Sequence, residues 1–297
     1  MAELAKNTTT VEIKNEKVTS PWLEAWKSFK KNKLALIGAC IVLFFIIIAF
    51  LAPVLAPTGM NDQVLADRLQ KPSADHWFGT DDFGRDILSR VIYGARISLW
   101  VGFFSVLGSI IIGCALGIIA GYYGRWIDTV ISRFFDILLA FPSILLAIAI
   151  VAVLGPSLQN ALIAIAIINV PNFGRLIRSK VLSIKQEEYV MAAKAIGMTD
   201  TRILFHHILP NSIAPIIVQG TLAIATAIIE CAALGFLGLG AQPPDAEWGK
   251  MLADSRQYLI QAPWTMIFPG LAIMLTVLGF NLMGDGLRDA LDPRMKN

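Results

Sequence analysis

The chain has 297 residues, 56% of them hydrophobic and only 16% charged, with a formal net charge of +3. A soluble domain carries about 25% charged residues. The apolar residues are also gathered in long runs, so a water-soluble globular fold is excluded for most of the chain, and so slight a charge gives no reason to invoke nucleic acid.

Residues 1–20 are polar and rich in Thr, Lys and Glu, the composition of a disordered tail. Trp22–Lys33 reads as a short helix at the membrane surface. Trp22, Trp26 and Phe29 recur at helical spacing, and Lys27, Lys30, Lys31 and Lys33 suit an anionic leaflet. A spanning helix needs about 20 apolar residues. Six runs approach that length: Leu34–Leu55, Ile97–Tyr122, Phe134–Leu154, Leu158–Phe173, Ile213–Leu239 and Met266–Met283. Alternating strands of barrel type are absent, so helices must satisfy the backbone in lipid. The leader before the first run is too long for a signal peptide, so that run is expected to stay as an anchor. The short fourth run is expected to continue as a helix past Arg175, and Pro142 and Pro171 are expected to kink their helices. Cys40, Cys114 and Cys231 fall within predicted spans and read as packing residues, since nothing supplies partners for a disulfide or a metal.

If the N-terminus is cytoplasmic, 18 of the 25 Lys and Arg residues fall on the inside and 7 on the outside. The positive-inside rule therefore places both termini in the cytoplasm. The expectation is an all-α polytopic membrane protein with six transmembrane helices. It divides into a tail and interfacial helix (1–33), a first transmembrane helix with an outer loop (34–93), a five-helix core (94–284) holding a cytoplasmic loop at 174–212, and a C-terminal tail (285–297). No internal repeat is apparent, which weighs against the inverted-repeat carriers.

The loop between the fourth and fifth runs carries the most information. Gln186–Gly197 reads Q-E-E-Y-V-M-A-A-K-A-I-G, with Tyr189, Ala192, Ala193 and Ile196 at i, i+3, i+4 and i+7, one face of a helix. Glu187 and Glu188 complement the first turn, and Gly197 suits a C-terminal stop. Thr199 or Asp200 then caps a second helix running towards Leu209 and Pro210. This helix-turn-helix either packs on the protein's own spans or presents small residues to a partner.

Its register resembles the cytoplasmic loop of type I ABC importer permeases, E-A-A-x(3)-G-x(9)-I-x-L-P. The matching residues are Ala192, Ala193, Gly197, Leu209 and Pro210, with Met191 standing in place of Glu and His207 in place of Ile. Phe78–Asp86 with Ser89 and Arg90, and Gly94–Leu99, resemble the outer-loop signature of peptide-type permeases. So do Ala233–Gly240, Pro243-Pro244 with Glu247-Trp248-Gly249, and Asn281–Asp289. The chain thus resembles the DppC/OppC/AppC type of permease subunit in dipeptide and oligopeptide importers.

That resemblance implies the type I ABC importer permease fold in the cytoplasmic membrane. It implies a second homologous permease (DppB/OppB type), two ATPases (DppD and DppF type) and an extracytoplasmic peptide-binding protein. It implies no enzyme activity here. No G-x-x-x-x-G-K-[ST] phosphate loop occurs, as Gly249-Lys250 is followed by Met251, so ATP and Mg would be bound by the partners. The residues expected to couple to the ATPase are Glu188, Tyr189, Ala192, Ala193, Ile196, Gly197, Asp200, Leu209 and Pro210, with Met191 making the contact one of shape.

Glu230 lies deep in the fifth run, where an ionisable group is costly. It either hydrogen-bonds a neighbouring helix or lines the pathway, and Asn169 and Asn281 carry the same two readings. Adjacent His206 and His207 point to different faces and read as packing or ATPase contacts rather than a metal site. Asp81, Asp82 and Asp86, near Arg85 and Arg90, read as helix caps and ion pairs rather than calcium ligands, or as a surface for the binding protein. A stand-alone gradient-driven carrier is the competing reading; Glu230 is its one plausible coupling acid.

Overall fold

The computed structural model describes residues 21–291, so the tails at 1–20 and 292–297, with the disorder expected of the first, lie outside the described residues. Among the described residues the chain is helical, its only extended pairing a single bridge between Thr80 and Asp86.

Helix α1 (Pro21–Lys31) ends where Asn32 turns the chain. The Asn32 side chain accepts the N–H groups of Leu34 and Ala35 at 3.0 and 3.2 Å and so caps α2 (Lys33–Phe50). Trp26 lies outward under Lys30, 4.8 Å from its ring centroid, as a surface helix requires. Phe29 does not: with Ala25 it is buried against Ala35 and Ala290, tying α1 to the far end of the chain. The Trp22 side chain is outside the described set. A short α3 (Ala52–Leu55) completes the first span.

Helix α4 (Ile87–Tyr123) begins ten residues before the expected start, because Asp86 caps it through the N–H of Ser89 at 2.8 Å and the Ser89 hydroxyl at 2.9 Å. Its inner face carries Gly113, Gly117 and Gly121 at four-residue spacing. A Cβ on Gly117 would stand 2.4 Å from the carbonyl of Gly174, and one on Gly113 2.6 Å from that of Val170. Lipid tails are as apolar as Leu, so spans associate through such close approach rather than through hydrophobic burial.

The third expected span, Phe134–Leu154, is not one helix. It is two, α5 (Arg125–Leu139) and α6 (Ser143–Leu154), bent by 92° at Ala140–Pro142. Proline lacks an N–H and drives the preceding residue out of the helical region, so Pro142 breaks the span where a kink was expected. The bend lets α5 turn two acids onto α7 (Leu158–Ile184). Arg178 grips Asp128 with two hydrogen bonds, at 2.5 and 2.7 Å, and Arg175 meets Asp136 at 2.6 Å. Helix α7 is capped by Ser157, passes through Pro171 and continues past Arg175 as expected.

Helix α8 (Glu188–Ala195) and α9 (Asp200–Ile203) form the expected turn of helices. The second of them does not stop at Leu209-Pro210. A π-helical turn at Leu204–Ile208 joins α9 to α10 (Leu209–Phe236), giving a continuous rod from Asp200 to Phe236. The wider turn, closed by Leu209 N–H on the Leu204 carbonyl, admits Pro210, whose ring would clash in a regular α-turn. The short α11 (Trp248–Ser255) and α12 (Trp264–Leu291) complete the chain. Among the described residues five helices are long and apolar enough to cross a membrane, and the bent pair makes up to six. Much of their outward surface is apolar, as on α2, where Leu43, Phe44 and Ile47 are exposed. The bilayer is the solvent for such surfaces.

Candidate functional site

The loop segment is welded to the spans from beneath. Val190 and Ala193 of α8, Ile203 of α9 and Ile208 of the π turn are buried. Val190, Ile203 and Ile208 belong to the same apolar core as Val181 and Ile184 of α7 and Ala223 of α10. The face expected as one surface is therefore split: Ala193 points inward, while Tyr189, Ala192 and Ile196 face out, Ile196 with 81% of its surface exposed. Met191 at 54% and Phe205 at 63% extend this apolar surface. Glu188 and Pro210 are exposed beside it and Leu209 is half-buried.

Gly197 explains its place in the motif. Its φ of +83° is a left-handed conformation, in which a side chain costs about 1–2 kcal/mol. The N–H of Met198 donates to the Ala193 carbonyl at 3.1 Å and that of Gly197 to the Lys194 carbonyl at 3.1 Å. These two bonds close a Schellman cap. The cap reverses the chain between the two helices.

Polar struts hold the segment at both ends. The Tyr122 hydroxyl, at the end of α4, donates to Asp200, and Lys185 donates to the Tyr122 carbonyl at 2.6 Å. On α8, Tyr189 packs its ring against His207, centroids 5.7 Å apart, and its hydroxyl accepts from Asn211 at 3.3 Å. Asp200, expected among the coupling residues, has its side chain engaged by Tyr122 of α4. His206 is exposed and His207 is a packing partner. Among the described residues no three His, Cys, Asp or Glu side chains gather to hold a metal.

Within the spans, Asn169 and Glu230 come together. The Asn169 amide donates to Glu230 at 3.1 Å across α7 and α10, and both are buried. Asn281 stands apart, exposed on α12.

At the opposite end of the bundle the acids act as caps and pairs. Asp81 binds the Arg85 guanidinium at 2.6 Å and accepts the N–H groups of Phe83 and Arg85, each at 2.9 Å; Asp86 caps α4 and faces His76 at 3.1 Å. Burial, reinforced by the charge of Asp81, raises the Asp82 carboxyl above the ordinary carboxylate range. Glu247 caps α11 through the N–H groups of Gly249 and Lys250 at 2.9 and 2.8 Å. Its burial pushes the carboxyl up to about 7, against the lowering effect of those bonds and of Ser98. The Trp248 indole donates to the Val91 carbonyl at 3.0 Å. The Glu-Trp-Gly signature is thus a clamp between α4, α10 and α11.

Residues 113–297 match the family described as binding-protein-dependent transport system inner membrane component. Residues 20–72 match the N-terminal transmembrane domain of oligopeptide transport permease C. The chain is 69% identical to a dipeptide transport system permease protein DppC from Alkalihalophilus pseudofirmus, over 94% of this chain and 91% of the relative. It is 49% identical to a glutathione transport system permease protein GsiD from Pectobacterium atrosepticum, over 96% and 95%. In fold it is similar to a chain of an inward-facing MetNI methionine ABC transporter, with a TM-score of 0.55, 20% identity, and coverage of 69% of this chain and 98% of that one.

Proposed function

The chain belongs to the binding-protein-dependent transport system inner membrane components, and from that premise we propose that it is the permease through which a dipeptide importer passes its cargo. Members of the family are multi-pass, non-catalytic subunits of the cytoplasmic membrane that work with a partner permease, ATPases and a binding protein. The finer assignments are our reading. The partner permease is of DppB/OppB type and the ATPases of DppD and DppF type. Both termini and the α8–α9 segment face the cytoplasm, where ATP and Mg are held by the partners.

The observation that carries the coupling role is the continuity of the core from the spans into α8 and α9. A partner pressing on the exposed surface of Tyr189, Ala192 and Ile196 moves a body fixed to α4 by Asp200 and to α10 by the unbroken rod from Asp200. Interfaces of packed cores shift between discrete arrangements rather than deforming continuously, so closure of an ATPase dimer is passed on as a rotation of spans. Dipeptide is favoured over glutathione as cargo because the dipeptide relative is 69% identical and the glutathione relative 49%. The test is uptake of labelled dipeptide by proteoliposomes holding the four membrane and ATPase subunits plus binding protein. ATP-driven uptake that disappears when this chain is omitted supports the reading; gradient-driven uptake by this chain alone refutes it.

A further inference from the structure

Arg175 and Arg178 of α7 are both paired with acids of α5, yet Lys180, on the same helix, has no ion-pair partner among the described residues, and neither does Arg288 in the last turn of α12. These two cations line one crevice of about 420 Å³ between α7, α10 and α12, together with Gln219. Its other walls, Leu176, Val218 and Leu222 among them, are apolar, and among the described residues no acid lines it; Asp285, one turn from Arg288, does not reach it.

The crevice opens on a face that hydrocarbon does not cover. On α12, Asn281, Asp285 and Arg288 recur at i, i+4 and i+7 and are all exposed, and Thr226 is exposed on α10. Polar groups on spanning helices border water or protein, not lipid tails. The contrast is the exposed face of α2, which is apolar at Leu36, Leu43, Phe44 and Ile47. Two cations without an ion-pair partner among the described residues, an amide and apolar walls make a pocket for an anionic group carried on an apolar body. A dipeptide offers that combination in its C-terminal carboxylate and side chains.

Resting on the peptide-importer reading above, we propose that Lys180 and Arg288 form an anion subsite at the α8 end of the pathway, which holds the carboxylate of the peptide before release. Charge-assisted bonds to a carboxylate are the strong class of hydrogen bond, and Arg adds a planar fork that Lys lacks.

The test uses the complete transporter, purified without its binding protein, and equilibrium dialysis of a radiolabelled dipeptide and of its C-terminal amide. The dipeptide is expected to bind at least about tenfold more tightly than the amide. Lys180→Met/Arg288→Met is expected to bring the dipeptide down to the amide's level, while Lys180→Arg retains the difference. Subunit assembly and basal ATP hydrolysis report that each variant is folded; should the double variant fail to assemble, the comparison of dipeptide with amide on the wild type decides. Equal binding of the two ligands by a wild type that transports dipeptide overturns the subsite alone. Loss of co-purified anionic phospholipid with unchanged peptide binding also overturns it. A wild type that takes up no peptide overturns the importer reading itself.

Discussion

Gly197 offers the sharpest probe of the coupling segment, because the cost of replacing it is purely conformational. A Cβ there meets no atom within 4 Å, so no clash confuses the result, and the whole penalty comes from a φ of +83°. An L-residue in the left-handed region costs about 1–2 kcal/mol, with β-branched Val worst and Asn best tolerated. That cost falls on the docking-competent conformer, so Gly197→Val is expected to weaken ATPase association by up to about 5- to 30-fold. Gly197→Asn is expected to stay close to wild type. The assay is co-purification of ATPase with the permease pair across a titration of ATPase, beside ATP-driven uptake in proteoliposomes. Membrane insertion should be unchanged in both variants. Gly197→Val with association and uptake within twofold of wild type would refute the cap as the element that shapes the joint.

Four further outcomes follow from the structure. Tyr122→Phe removes the hydroxyl that Asp200 accepts, so ATP hydrolysis should persist while peptide moved per ATP falls; unchanged stoichiometry counts against the strut. Gly117→Leu must part α4 from α7, where the carbonyl of Gly174 would lie 2.4 Å from the new Cβ, and should lower stability by about 3 kcal/mol or more. Gly108→Ala, whose Cβ finds only Ala166 at 3.5 Å, should melt like wild type in detergent. The Glu247 carboxyl moves from an ordinary 4.5 to about 7 on folding, so between those values the folded chain holds a proton that the unfolded chain releases. Stability should therefore fall by about 3 kcal/mol as pH rises from 4.5 to 7, and level off above. Melting temperatures at pH 5 and pH 8 should differ less in Glu247→Gln than in wild type; an equal difference would place the titration elsewhere.

Much of this architecture was legible in the sequence, and its limits have physical causes. Long apolar runs report the solvent, so the spans emerged from hydropathy alone. A window average cannot see direction, however, and the 92° turn at Pro142 lay hidden inside the run Phe134–Leu154. The α7 arginines that pair with Asp128 and Asp136 sit 50 and 39 residues away, beyond any local spacing rule. The stripe Gly113, Gly117, Gly121 was visible as letters, but its meaning depends on which helix it meets. In the loop, periodicity found a helix and the glycine found its end. Dividing Ala192 from Ala193 required knowing that Val190 faces the core. Asn169 and Glu230 were each picked out by the cost of polar groups in lipid, and that same cost is why they bond to one another.

The coupling role requires α8 to be the surface that receives the ATPase. A photo-crosslinking residue placed at Ile196, 81% exposed, and another at Leu65, 70% exposed at the opposite end of the bundle, would test this in an actively transporting assembly. Crosslinks to an ATPase subunit are expected from position 196 and none from position 65. A transporting assembly with no ATPase crosslink from position 196 would contradict that role.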